Sequence, residues 1–221
     1  MDKEYVVKLG DKATVDGVAV STLTAVYETL LEQCCKARYG EDSTVHEKMF
    51  EWIRTTDMYT APASSRYHEA FSGGLLVHSL KVYNESMDLL NLPRFVRSND
   101  DEAGQQMKVS AAILALVHDW CKIGLYESYQ KNVKNEQTGQ WEKVDAFRKH
   151  QRGIPLGHGT SSMFLASKFF RLSAEEALAI RWHMGRWYVT DSEIDELQLA
   201  NENYPLVHLL QFADQLSIVN Y

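Results

Sequence analysis

The chain has 221 residues, 45% of them hydrophobic and 24% charged, a composition ordinary for a globular protein with one domain, or one domain plus a small appendage, and a sizeable core. Thirty acidic against 23 basic residues leave a net charge of −7. That speaks against long duplex nucleic acid as the main partner, since Lys and Arg lead such binding by neutralising phosphates, but it leaves room for a nucleotide in a local basic pocket.

Three cysteines, Cys34, Cys35 and Cys121, form no CxxC pair and suggest no disulfide framework, so a reducing cytoplasm is the expected location. The N-terminus, MDKEYVVKLGDK, lacks a signal-like apolar run. No stretch approaches the ~20 apolar residues of a membrane span, so no membrane partner is expected.

In chain order, residues 1–20 alternate weakly around Gly10 and Gly17 and read as a short strand or extended arm. From 21 to 58 the pattern is helical, with Leu23, Val26, Leu30, Leu31 and Cys34 at three-to-four spacing. Phe50, Trp52 and Ile53 follow a break at Gly40. Tyr59 to Ser72 is a connection ending at a Gly pair. Helices are expected at 74–91 and 105–120, separated by Pro93 and the acidic loop SNDDEAG.

Residues 126–157 are polar, with Thr138-Gly139 at the middle and aromatic or β-branched residues on both sides, the pattern of a β-hairpin. Helices resume at 159–171, 173–185 and 204–219, the last with Pro205 near its first turn. The expected architecture is all-α with a small β-hairpin insertion. Residues 1–60 form an arm and helices packing on a main domain at 61–221.

Six metal-capable residues punctuate this pattern: His78, His118, Asp119, His158, His183 and Asp214. Each lies in or beside an apolar run (GGLLVHSL, AAILALVHDW, LGHGTSSMFL, AIRWHMGRW, LLQFADQLS). Burying an unpartnered neutral polar group costs ~2–7 kcal/mol, and a bare charge costs more. One buried His is explained by a hydrogen bond; six such groups on five apolar segments are more simply explained by a shared ion or pair of ions.

His118 and Asp119 can converge on an ion between their two directions. Lys122 follows one turn on, where an ammonium meets an anionic substrate oxygen. The competing reading is a helix end capped by Asp119 with Lys122 solvated.

The run HDWCKIG resembles the HDxxK signature of the HD superfamily of metal-dependent phosphohydrolases. RYHEAFSGGLLVHSLKV is similar to that superfamily's GGLLxH segment, especially in its HD-type exoribonucleases and related hydrolases. RWHMG resembles its HHG-like segment, with Trp182 where the first His would stand, and LLQFADQLS resembles its closing helix. The resemblance covers about residues 66–217.

It implies an HD-type helical bundle. It also implies a first metal held by His78, His118, Asp119 and Asp214, and a second held by His158 and His183 with Asp119 bridging. Mixed His and carboxylate ligands suit one or two divalent transition ions (Fe, Mn, Ni, Co or Zn) rather than an all-oxygen Mg site. The activity implied is hydrolysis of a phosphomonoester or phosphodiester by a metal-activated water, with a small anionic phosphate ester such as a nucleotide or short oligonucleotide as substrate. The alternative is a non-catalytic module that binds a nucleotide or a protein.

Lys122 and Asp119 are then catalytic, His68 is a proton donor to the leaving group or a structural hydrogen-bonding residue, and Arg66 is a phosphate clamp. Trp182, Trp187 and Tyr188 either stack on a base or pack in the core. Cys121 reads as a small packing residue, His208 as a non-ligand, and His46 and His150 as exposed. Between Lys131 and Arg152, six basic residues face three acids, either steering an anion toward the site or merely solvated.

Overall fold

A computed structural model describes residues 7–92, 95, 101–150, 154–187 and 189–219. Pro93, Arg152 and Tyr188 lie outside the described residues, as do the first six positions of the expected arm. Among the described residues eight α-helices carry the fold, and one two-stranded antiparallel sheet is inserted between the fourth and fifth. They are α1 (Val20–Tyr39), α2 (Val45–Arg54), α3 (Gly74–Leu90), α4 (Glu102–Val117), α5 (His158–Ala166), α6 (Ala174–Trp182), α7 (Ile194–Asn203) and α8 (Pro205–Ser217). The strands are β1 (Tyr126–Lys134) and β2 (Trp141–Lys149).

The helix α4 is the axis. From Ala111 to Val117 every side chain is fully buried, so the helix is apolar all round, as a helix enclosed by others must be. It packs against α1, α3, α6 and α8, and α3 and α6 each pack on α8. Its first turn is capped by Asp101, whose carboxylate accepts from the Gly104 N–H at 2.8 Å. Arg38, in the last turn of α1, reaches Glu176 in the first turn of α6 (3.1 Å) and Ser110 of α4 (3.0 Å). Glu176 also completes the capping box with Ser173 that starts α6.

Several expectations are adjusted by the chain's own stereochemistry. The helix expected at 105–120 begins at Glu102 and ends at Val117; Trp120–Lys122 form a separate 3-10 turn. Residues 7–19 contain no strand. They form an arm pinned on α3, where the Gly10 N–H donates to the Tyr83 hydroxyl (2.8 Å) and Ala13 exchanges two 2.7 Å hydrogen bonds with Asn84. The helix α7 was not expected, because only Leu197 and Ala200 of its ten residues are buried and the apolar stripe is too thin to read.

The hairpin is regular. Nine residue pairs run from Tyr126↔Lys149 to Lys134↔Trp141. The Asn135 side chain organises the turn by accepting from the Gln137 and Thr138 N–H groups. Among the described residues no helix is long and apolar enough to cross a membrane.

Candidate metal centre

Three of the five apolar segments end, or begin, at the centre of the bundle. His118 is the residue at which α4 stops, and Asp119 follows it into the 3-10 turn. That turn is fixed from behind: the Trp120 indole N–H donates to the Tyr27 hydroxyl (2.9 Å), which donates to the Leu116 carbonyl (2.7 Å). His183 stands at the same place on α6, one residue past its end. His158 opens α5. His78 and Asp214 face inward from the bodies of α3 and α8.

The loop before α3 brings a further pair of side chains. Glu69 is the one non-glycine described residue with positive φ (42°), and its carbonyl accepts from the Ala63 N–H at 3.1 Å. A Cβ on Gly74 would lie 1.9 Å from that carbonyl oxygen, so only glycine lets the loop close on α3. This closure carries His68 to 5.0 Å, ring centre to ring centre, from His78.

Around Asp119 the ligand-capable atoms fall into two groups. On the Oδ2 side, His78 Nε2 lies at 3.4 Å and His118 Nε2 at 3.5 Å; the two nitrogens are 3.3 Å apart. Asp214 Oδ1 joins them at 3.1 Å from His78 Nε2 and 3.9 Å from His118 Nε2. On the Oδ1 side stand His158 Nε2 at 2.7 Å and His183 Nε2 at 3.5 Å. Two ligands bonded at ~2.0–2.1 Å to one ion are about 2.9 Å apart at a right angle and about 3.3 Å apart at a tetrahedral angle. The Oδ2-side separations, apart from the longest, match edges of a coordination polyhedron.

The tautomers point the same way. His118 Nδ1 donates to the Ala115 carbonyl (2.8 Å), and His183 Nδ1 donates to the Ile180 carbonyl (2.7 Å). Both rings therefore present an Nε2 lone pair inward, the arrangement in which a backbone carbonyl fixes a metal-binding imidazole. His183 Nε2 is fully buried and makes no hydrogen bond. An orphaned buried nitrogen facing a carboxylate is a donor arrangement that a cation could complete.

Within the cluster the buried carboxylates and imidazoles shift one another's pKa values. Burial works against ionising Asp119, but Lys122, His118 and His158 outweigh it and hold the carboxyl well below the usual range. Asp214 is likewise lowered, burial being overcome by His78 and then by His118 and His183. Burial lowers the pKa of His78, yet its contacts with Asp119 and Asp214 raise it to about 9. His118, with burial dominant, is pushed down to about 3.

Lys122 is buried, and its ammonium sits 2.5 Å from Asp119 Oδ2. It lies neither solvated nor one turn along an α-helical face, because the 3-10 turn swings it back onto the carboxylate. His78, His118, Asp119 and the partly buried His158 could thus hold a metal ion.

Other expected residues are distributed differently. His68 is partly buried, with Nε2 lacking a hydrogen-bond partner, and forms a possible ligand group with Glu69 and His78. Arg66 is exposed on the same loop, and among the described residues no ion pair holds it. Trp187 is 73% exposed at the rim of a cleft of about 140 Å³ that His158 and Trp182 also line. Trp182 itself is buried. His208 stacks on Phe212 away from the cluster.

His46 and His150 are partly buried rather than exposed, His46 against Phe50 and His150 facing Glu127 at 3.7 Å. Glu69 carries no role in the sequence reading, and Cys121 carries only one of packing. Glu69 faces His78 Nδ1 at 3.9 Å while pairing with Lys81 at 2.7 Å. Cys121 places its sulfur 3.2 Å from His158 Nδ1. The sequence signal for Glu69 is adjacency to His68, and that for Cys121 is its place two residues after Asp119.

No family model matches the chain, and comparisons with curated proteins and with solved structures likewise return no match.

Proposed function

We propose that this chain is an HD-type metal-dependent phosphohydrolase that cleaves a phosphomonoester or phosphodiester of a small anionic substrate, with a nucleotide or short oligonucleotide as the substrate class. The observation that carries the reading is the convergence of four imidazole Nε2 atoms on the two oxygens of Asp119, two of them with Nδ1 committed to backbone carbonyls. His78, His118, Asp119 and Asp214 would hold one ion, and His158 and His183 a second, with Asp119 shared. Fe, Mn, Ni, Co and Zn suit these donors. Bound there, such ions supply Lewis acidity to phosphoryl oxygens and acidify water to a nucleophile at neutral pH.

The chain's own groups do the rest. Lys122 keeps Asp119 ionised and oriented through its 2.5 Å contact, and its charge lies close enough to favour a phosphoryl anion. His68 holds a ring nitrogen, Nε2, without a hydrogen-bond partner and free for proton transfer to the leaving oxygen, while burial, with His78 and Lys122 adding to the effect, lowers its pKa and works against its charged form. Asp214 and His158 keep 16% and 22% of their side chains exposed, so the approach to the centre lies on their side. Trp187 borders the cleft beside His158, where a base could stack.

The test is elemental analysis of the purified protein, then phosphate release from nucleoside mono-, di- and triphosphates, cyclic dinucleotides and short RNA with Mn or Co added. Bound metal with turnover of a member of this panel is expected. Bound metal without turnover of any would favour a nucleotide- or protein-binding module instead.

A further inference from the structure

We propose that the Cys121 thiolate is a ligand of the second ion, making that position a sulfur-containing Asp, Cys, His site chemically unlike the first. The inference rests on the reading that the cluster holds metal, and extends it to a residue whose sequence context suggested only packing.

Asp119, Cys121 and His158 each offer a ligand atom, and these atoms lie within 4.8 Å of one another. Cys121 Sγ is 3.2 Å from Nδ1 and 3.8 Å from Nε2 of His158. A sulfur at ~2.3 Å and a nitrogen at ~2.0–2.1 Å from one tetrahedral ion stand about 3.6 Å apart, between those two values. The other edges are Asp119 Oδ1 to His158 Nε2 (2.7 Å) and Asp119 Oδ1 to His183 Nε2 (3.5 Å).

Two further features place the sulfur there by construction. The Cys121 N–H donates to Ser162 Oγ at 3.0 Å, which locks the 3-10 turn onto α5, the helix that begins with His158. His183 contributes the second independent sign, a fully buried nitrogen with no hydrogen bond, turned toward the same Asp119 oxygen. Asp119 Oδ1, Cys121 Sγ, His158 and His183 then supply four donors to one ion.

As the sulfur–metal bond forms, the thiol proton leaves to solvent. The consequence is selectivity: a soft thiolate favours zinc or cobalt at this position and disfavours magnesium or calcium, whereas the first position is all nitrogen and oxygen.

The experiment is titration of metal-free full-length protein with Co(II), followed by absorption spectroscopy. The expected result is an intense near-ultraviolet sulfur-to-cobalt charge-transfer band that grows in with the second equivalent. In Cys121→Ser the band should be lost and the first equivalent retained. Affinity for the second should fall by at least the ~10–100-fold that loss of an outer-shell partner costs.

Cys34 and Cys35 are fully buried in the core, so the band reports on Cys121. The wild-type spectrum is decisive even should the variant fold poorly. Cobalt bound twice without a thiolate band overturns this inference alone and leaves the sulfur as a hydrogen-bond donor to His158. Failure to bind cobalt at all overturns it together with the metal reading.

Discussion

Asp119 is the residue on which the centre turns, since one oxygen faces His78, His118 and Lys122 and the other faces His158 and His183. Asp119→Asn preserves its size but removes the charge that Lys122 and any bound cation need. Loss of metal is expected by elemental analysis. Breaking a buried pair of this kind costs ~3–5 kcal/mol, readable by denaturant unfolding of the metal-free variant. Full metal content with unchanged stability would sink the assignment.

Lys122→Ala should show the complementary behaviour. It should unfold at clearly lower denaturant in chelator, with much of the loss recovered on adding Mn, because an ion supplies the positive charge the lysine withdrew. In any assay the substrate screen yields, kcat should fall by ~10²–10³. A solvated lysine would move none of these.

The histidines also set a pH dependence for the metal-free protein. His78 has a raised folded pKa, so it stabilises fully below its ordinary 6.5, and this stability is lost as pH climbs toward about 9. His118 has a depressed folded pKa, so its contribution is present above 6.5 and lost as pH falls toward about 3. Asp119 and Asp214, both lowered, add to the acid loss. Unfolding free energy in chelator should therefore peak near pH 6.5, with the alkaline decline attenuated in His78→Gln. A flat profile from pH 6.5 to 9 would contradict the placement of His78 between two carboxylates.

At the scale of elements, the centre depends on how closely helices approach. Gly159, in the first turn of α5, lies against the end of α6: a Cβ there would be 2.1 Å from the Arg181 carbonyl oxygen and 2.7 Å from that of Ile180. Any side chain pushes α5 away from α6, and with it His158 from His183, whose rings are now 5.1 Å apart. Gly159→Ala should cost the ~1–3 kcal/mol usual for overpacking. It should also lower bound metal by more than that loss of stability explains, as measured by stoichiometry on the folded fraction. The hairpin, by contrast, carries no member of the cluster. Among its described residues, five basic side chains (Lys131, Lys134, Lys143, Arg148 and Lys149) stand against four acids (Glu127, Glu136, Glu142 and Asp145), with Arg148 paired to Glu127, so the excess of positive charge is one.

For the whole molecule, the cluster is drawn from α3, α5, α8 and the ends of α4 and α6, so under the proposed metal reading binding and folding are one equilibrium. A ligand that binds only the folded chain adds RT ln(1 + [L]/Kd), ~4 kcal/mol at a thousandfold excess over Kd. Thermal melts should rise with Mn, Co or Zn concentration and fall in chelator. Melts indifferent to every one of these ions would argue that the centre is a satisfied polar core.

Local pattern alone was enough to read most elements: the break at Gly40, the hairpin about Thr138-Gly139, and the start of α8 at Pro205 all follow from backbone preferences within a few residues. Polar, metal-type side chains in apolar runs likewise singled out His78, His118, Asp119, His158, His183 and Asp214 before any geometry. The sequence was silent where the answer depended on distance in space. The turn that returns Lys122 to Asp119 and the Nδ1 bonds that aim His118 and His183 are contacts over three residues that no hydrophobic pattern encodes. The approach of Cys121 to His158 joins atoms 37 residues apart whose placement is set by α5 packing on the 3-10 turn. Glu69 entered for the same reason, since its position depends on a loop closing over Gly74. Periodicity reports which face of an element is buried; only tertiary packing decides which side chains meet there.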